Sequence, residues 1–110
     1  MRKVLTAILV LIILVSLTGT IIAAPIKLRL SEVHIAGYPT TLADLEFARL
    51  VKEKTNGRIE IEVYYGGTLY GSEPEAIEAM VMGELGFARV SAAPVADYEP
   101  ELNAVQLPYL

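Results

Sequence analysis

The chain has 110 residues, with nine Lys and Arg against thirteen Asp and Glu, so its formal net charge at pH 7 is −4. This acidic balance argues against nucleic acid and anionic membrane surfaces as partners. The absence of cysteine excludes disulfides and thiol catalysis, and a single histidine, His34, excludes a multi-histidine metal site.

The start of the chain has the pattern of a secretory signal. A charged start and an apolar run over residues 4–15 precede a stretch of small residues, and we expect cleavage after Ala23. Residues 1–23 are therefore expected to be a signal helix, and residues 24–110 the mature, periplasmic or otherwise extracytoplasmic chain, with no stable membrane insertion. The alternative is an uncleaved anchor, because residues 4–24 are long enough to cross a bilayer.

Apolar and polar residues alternate over residues 26–30, which predicts a strand. After a loop, Thr40 or Thr41 is expected to cap a helix that continues to about Thr55. A turn at residues 56–57 ends this helix, because its glycine accepts the left-handed conformation. The expected apolar face consists of Ala43, Phe47, Leu50 and Val51.

The second half of the chain repeats this pattern. Alternation over residues 58–65 predicts a second strand, and a loop rich in glycine and tyrosine follows. Ser72, three residues before a glutamate, predicts a capped helix over residues 73–82. A third strand is expected over residues 85–90 and a loop over residues 91–94. The expected apolar face of the second helix consists of Ala76, Ile77, Met80 and Val81.

The order strand, helix, strand, helix, strand predicts an α/β fold with a parallel sheet and right-handed crossovers. The alternation in the first two strands disagrees with this, since parallel strands buried on both faces are usually apolar throughout. Either the strands are partly exposed or the sheet is incomplete, and an antiparallel α+β arrangement stays open. The chain stops on apolar residues at Leu110, which indicates an N-terminal portion of a longer domain.

Polar side chains follow each predicted strand. His34 follows the first strand, Glu73 opens the helix after the second, and Ser91 follows the third. Because ligands in open α/β sheets bind beyond the carboxyl ends of the strands, these three residues are the candidate ligand-binding residues. Each also has an ordinary interpretation, since a loop histidine is often solvated and a loop serine often belongs to a turn.

Glu73 is the most informative of these residues, because it lies on the apolar face of its predicted helix. A carboxylate there needs a partner, which a ligand would supply. The competing interpretation is an acid favoured at a helix start by the helix dipole. Arg89 lies within the third strand and is either an edge residue with a packed stem or a residue that faces an anion. No hydrolase elbow or phosphate-binding loop is present.

The mature sequence resembles the start of the DctP-type extracytoplasmic solute receptors of TRAP transporters. The resemblance rests on KTNGRIEIEVY at residues 54–64, GSEPEAIE at residues 71–78 and VSAAP at residues 90–94. It implies the first lobe, βαβαβ and incomplete, of a periplasmic-binding-protein-like fold of class II. It also implies that the receptor binds a small organic acid, of dicarboxylate or sugar-acid type, and delivers it to the membrane permease subunits.

The resemblance further implies that His34, Glu73 and Ser91 contact the ligand, that no cofactor is needed and that the protein is not an enzyme. The arginine that grips the ligand carboxylate in this family lies beyond Leu110, so the chain alone is not expected to close on a ligand. Two other hypotheses stay open: a small membrane-anchored interaction or sensor module of the same fold, and a hydrolase that uses Glu73 with His34.

Overall fold

The structure is a computed structural model that describes residues 1, 3, 4, 6 and 24–108. Most of the expected signal, residues 1–23, lies outside the described residues. Among the described residues, none of the helices combines the length and the apolar character needed to cross a bilayer.

The described chain alternates strands and helices in the predicted order. The elements are β1 (Ile26–Ser31), α1 (Pro39–Lys54), β2 (Ile59–Tyr64), α2 (Glu73–Val81), β3 (Phe87–Ala88), α3 (Ala92–Val95) and a 3-10 helix (Pro100–Gln106). The predicted β3 is too long and the predicted loop over residues 91–94 is wrong, because that segment forms the short helix α3.

The strands form a parallel sheet, as predicted. Within residues 24–108 the sheet has three strands in the order β2-β1-β3. The β1–β2 register runs from Ile26 opposite Ile59 to Ser31 opposite Tyr64, and β3 pairs only with the end of β1. The antiparallel alternative is therefore wrong for this part of the chain.

Burial along the central strand explains its alternating sequence. Ile26 is largely exposed, whereas Leu30 and Ser31 are buried. Every residue of the neighbouring strand β2 is half-buried. Between these strands, the exposed side chains of Lys27 and Glu62 form an ion pair at 3.0 Å. The sheet is thus partly exposed, and its central strand becomes buried toward the carboxyl end.

Helix α1 begins earlier than the sequence predicts. It starts at Pro39, a residue whose fixed φ suits a first helical turn. Thr41 is fully buried, and its hydroxyl donates to the Ile35 carbonyl oxygen at 3.1 Å, so it fastens the preceding loop instead of capping the helix. The predicted helix end is confirmed, because Asn56 and Gly57 both have positive φ and the Gly57 N–H donates to the Lys52 carbonyl oxygen.

Helix α2 packs on a face rotated from the predicted one. Ala76 and Ala79 are buried against Leu85, whereas Met80 is 41% exposed and Val81 71% exposed. The two alanines are small enough to bring the helix close to this cluster, so Met80 and Val81 are left outside. The cap at the start of α2 is confirmed, because the Ser72 hydroxyl oxygen accepts from the Glu75 N–H.

Candidate functional site

The carboxyl ends of the three strands bring the predicted site residues to one edge of the sheet. β1 continues into Glu32, whose N–H donates to the Tyr64 carbonyl oxygen at 2.9 Å, and the backbone then reaches His34. α2 begins at Glu73 after β2, and Ser91 follows β3. Polar side chains from three separate segments therefore lie at the same edge, as the parallel topology requires.

Glu73 and Ser91 are in direct contact. The Glu73 Oε2 atom accepts hydrogen bonds from the Ser91 backbone N–H at 3.1 Å and from the Ser91 hydroxyl at 2.5 Å. The Glu73 side chain is 17% exposed, so most of its carboxylate is removed from bulk water. The partner that a carboxylate at this position needs is thus supplied in part by the segment after β3.

Arg89 lies between two carboxylates. Its Nη1 atom is 3.4 Å from Glu73 Oε1, and its Nε atom is 3.6 Å from Glu32 Oε2. The backbone N–H of Arg89 also donates to the Ser31 carbonyl oxygen, which fixes Arg89 beside the end of β1. The structure therefore resolves the two interpretations of Arg89 in favour of an anion-facing side chain, and the anions are the protein's own.

Glu32 is the site residue that the sequence analysis missed. Its side chain is fully buried, and its Oε1 atom accepts from the His34 N–H at 2.9 Å and contacts His34 Nδ1 at 2.6 Å. Burial acts to raise the pKa of Glu32, but the hydrogen bonds from the His34 backbone and ring, together with the nearby Thr40 and Asp44 side chains, outweigh it and lower the pKa. The sequence feature that could have identified Glu32 is its position, because it is a charged residue directly after the last buried residues of a strand.

His34 is held on two sides. Its ring stacks on Tyr38 with the centroids 4.2 Å apart, and Nδ1 faces the Glu32 carboxylate. Since an ionised carboxylate can only accept, Nδ1 carries the proton in this contact and Nε2 is left for another partner. The His34 carbonyl oxygen accepts from the Gly66 N–H at 2.7 Å, so the loop after β2 fixes the backbone as well.

Asp44 places a second carboxyl group beside Glu32. Burial and the interaction with Glu32 raise the pKa of Asp44 to about 6, and Arg89 opposes this shift. Glu32 Oε2 and Asp44 Oδ2 are both buried without a hydrogen-bond partner among the described residues. A proton shared by the two carboxyl groups would satisfy both atoms, which agrees with the raised pKa.

These contacts form one connected chain of side chains, from Ser91 through Glu73, Arg89 and Glu32 to His34, which we call the edge network. It joins all three predicted site residues through Arg89, for which the sequence left two interpretations open, and Glu32, which the sequence analysis did not single out. Among the described residues, no group of three or more acidic or histidine side chains is arranged to hold a metal ion.

Comparisons with known proteins agree with this architecture. A family model described as bacterial extracellular solute-binding protein, family 7 (DctP), matches residues 30–110. The chain is 38% identical over 79 residues to a solute-binding protein of Chromohalobacter salexigens, covering 72% of this chain and 23% of that protein. It is 39% identical over 84 residues to the C4-dicarboxylate-binding protein DctB of Bacillus subtilis, covering 76% of this chain and 24% of that protein.

Solved structures give the same result. A TRAP periplasmic solute-binding protein of Roseobacter denitrificans with bound β-D-glucuronate superposes with a TM-score of 0.71 at 37% identity, covering 76% of this chain and 28% of that one. The Chromohalobacter salexigens protein with bound D-glucuronate superposes with a TM-score of 0.68 at 38% identity, covering 74% of this chain and 27% of that one. The chain spans about a quarter of the length of the relatives it matches. It belongs to family 7 of the bacterial extracellular solute-binding proteins, the DctP family.

Proposed function

We propose that the chain forms the N-terminal part of an extracytoplasmic receptor of a TRAP transporter, which binds a small organic acid and delivers it to the membrane permease. The observation that carries this proposal is the edge network. It gathers His34, Glu73 and Ser91 at the carboxyl ends of parallel strands, where open α/β sheets bind ligands. Family membership supports the class of protein, and the edge network supports the proposed location of the ligand site.

In this proposal each residue has a distinct role. Glu73 is held by Ser91 and Arg89, so the remaining lone pair on Oε1 is positioned to accept a hydrogen bond from a ligand. The Ser91 hydroxyl oxygen can accept a further bond. His34, oriented by Glu32 and Tyr38, offers Nε2. The surrounding contacts fix these groups before a ligand arrives, which lowers the entropic cost of binding.

The arrangement favours a receptor over a hydrolase. A hydrolase based on Glu73 and His34 would need the two side chains to cooperate on one substrate atom. Instead, His34 contacts Glu32, and Glu73 contacts Arg89 and Ser91. The named relatives are solute-binding proteins, and we propose that this chain is likewise not an enzyme.

We also propose that residues 1–23 are a cleaved signal and that the receptor works in the periplasm. The solved relatives are named as periplasmic proteins, which supports this location. The mass of the exported protein tests this, since a cleaved leader leaves a chain that begins at Ala24. A retained leader would support the membrane-anchored module instead.

A hybrid receptor tests the function. Residues 24–108 would be joined to the segment that follows the matched region in the Chromohalobacter salexigens relative, with that relative as the positive control. We expect the folded hybrid to melt at a higher temperature with D-glucuronate or another small organic acid, because a ligand that binds only the folded state stabilises it. The 110-residue chain should show no such shift. A folded hybrid that responds to no organic acid, or a clear shift from the chain alone, would contradict the proposal.

A further inference from the structure

The charges at the edge of the sheet are unbalanced. Among the described residues of the edge network and the side chains against it, Glu32, Asp44 and Glu73 supply carboxyl groups, whereas Arg89 is the permanent cation. Arg89 is already engaged, because Nε faces Glu32 and Nη1 faces Glu73. A group that arrives here therefore meets mostly hydrogen-bond acceptors and negative charge.

This imbalance decides which ligand groups fit. A second carboxylate beside Glu73 would be repelled unless Arg89 left one of its present partners, and Glu32 would then be a buried carboxylate with less compensation. A hydroxyl group carries no charge and donates a hydrogen bond, so it satisfies Glu73 without displacing Arg89. The edge is thus better suited to hydroxyl groups than to carboxylates.

Sequence identity alone does not show which of the two ligand classes the receptor binds. Relatives of nearly equal identity include one named for C4-dicarboxylates and one solved with glucuronate. The two ligand classes differ at the end remote from the first carboxylate, which carries a second carboxylate in one class and a row of hydroxyl groups in the other. The charge of the edge network distinguishes these two ends.

We propose that the edge network recognises ligand hydroxyl groups and rejects a second carboxylate, so that the receptor selects polyhydroxylated monocarboxylates over C4-dicarboxylates. This inference rests on the proposed function. The single carboxylate of the ligand would be bound by residues outside the edge network. Glu73 is the specificity-determining residue, because it contacts both Arg89 and Ser91 and carries the charge that repels a second carboxylate.

The test is a titration of the isotopically labelled chain followed by the NMR signals of the Ser91 and His34 amides. D-glucuronate, the neutral sugar D-glucose and succinate are compared at matched ionic strength. We expect millimolar binding, with glucuronate and glucose binding similarly and succinate at least about tenfold more weakly, since like charges repel at short range. At ligand concentrations well below the dissociation constant, such weak binding gives almost no melting shift, so it agrees with the expected thermal behaviour of the chain alone.

Two variants separate specificity from folding. Glu73→Gln removes the charge while keeping an acceptor, and we expect it to weaken glucuronate binding and strengthen succinate binding. Glu75→Gln is the matched control, since Glu75 lies in the same helical turn and accepts from the Gly71 N–H. This substitution should leave the ratio of the glucuronate and succinate affinities unchanged. A purely structural role for Glu73 would move both affinities in the same direction.

The outcomes distinguish the inference from the function beneath it. Succinate binding as tightly as glucuronate, or a ratio unaffected by Glu73→Gln, would overturn the inference and leave the organic-acid receptor standing. No change at Ser91 or His34 with any of the three compounds would overturn the inference, and the melting of the hybrid receptor would then decide whether the proposed function stands.

Discussion

Glu73 and Ser91 are 18 residues apart in the chain, and their side chains meet with Ser91 Oγ 2.5 Å from Glu73 Oε2. The contact joins the first residue of α2 to the segment that leaves β3. A second bond, from the Ser91 N–H, fixes the backbone at the same oxygen. The helix start and the strand end are therefore held as one unit at the edge of the sheet.

This contact should contribute measurably to stability. We expect Ser91→Ala to lower the free energy of unfolding by about 1 kcal/mol, the usual worth of one hydrogen bond. Glu73→Ala removes two hydrogen bonds and the Arg89 contact, and should cost about 2 kcal/mol. Urea unfolding measures both values and that of the double variant.

A double-mutant cycle isolates the pair. Coupling of about 0.5–1 kcal/mol between Glu73 and Ser91 is expected for residues in contact. Glu78→Ala is the control, because Glu78 is exposed on the same helix. Additive losses at positions 73 and 91 would show that the two side chains do not interact in solution.

Glu32 should be the most sensitive carboxylate of the edge network. Glu32→Ala leaves the His34 N–H without its acceptor and Arg89 without one of its two carboxylates, and a loss of about 2–3 kcal/mol in the free energy of unfolding is expected. The control is Glu62→Ala, which removes an exposed partner of Lys27 and should have a much smaller effect. Equal effects of the two substitutions in urea unfolding would be incompatible with the structure.

The raised pKa of Asp44 predicts that the free energy of unfolding depends on pH in an unusual way. Its pKa is raised from an ordinary 3.8 to about 6, so between these values the folded chain holds a proton that the unfolded chain has released. The free energy of unfolding should therefore rise as the pH falls from 7 to 5, by at most about 1.4 kcal/mol per pH unit. Below about pH 4.5 the trend reverses, because Glu32, whose pKa is lowered, loses its stabilising charge.

Two measurements check the pH prediction. The NMR titration of the Asp44 carboxyl carbon should have its midpoint near 6. Asp44→Asn, which carries no charge at any pH, should abolish the rise between pH 7 and 5. A midpoint near 4 in the wild-type chain would show that the two carboxyl groups do not share a proton.

An open apolar hollow of about 410 Å³ lies between α2 and the segment that contains α3. Its lining residues are Ile77, Met80, Val81, Val90, Val95 and Tyr98. Contiguous exposed apolar surface binds hydrophobic dyes, so the chain should enhance the fluorescence of anilinonaphthalene sulfonate. Val81→Lys should reduce this signal several-fold, whereas Val105→Lys, at an exposed position outside the hollow, should not. Equal signals from both variants would place the dye elsewhere.

Local patterns in the sequence were sufficient to predict most of the elements. Alternation gave β1 and β2, the Ser72 cap gave the start of α2, and the order of elements gave the parallel sheet. These features depend on neighbouring residues or on chain order, so they can be read from one sequence. The short β3 was not predictable in this way, since its length depends on how far β1 pairs with it.

The site was predicted only in part, for a related reason. His34, Glu73 and Ser91 follow from the ends of strands, whereas the roles of Glu32 and Asp44 depend on a contact between two segments. The packing of α2 shows the same limit. Helical periodicity placed Met80 and Val81 inside, but the close approach of Ala79 to Leu85 decides which face is buried.

The most direct test of the account is the location of ligand binding on the labelled chain. When D-glucuronate is added, the account predicts that the largest changes in amide chemical shift occur at His34 and Ser91. The groove between α1 and β2, lined in part by Lys52 and Glu60, should be unaffected. Changes concentrated in that groove, with none at His34 and Ser91, would contradict the claim that the edge network forms the ligand site.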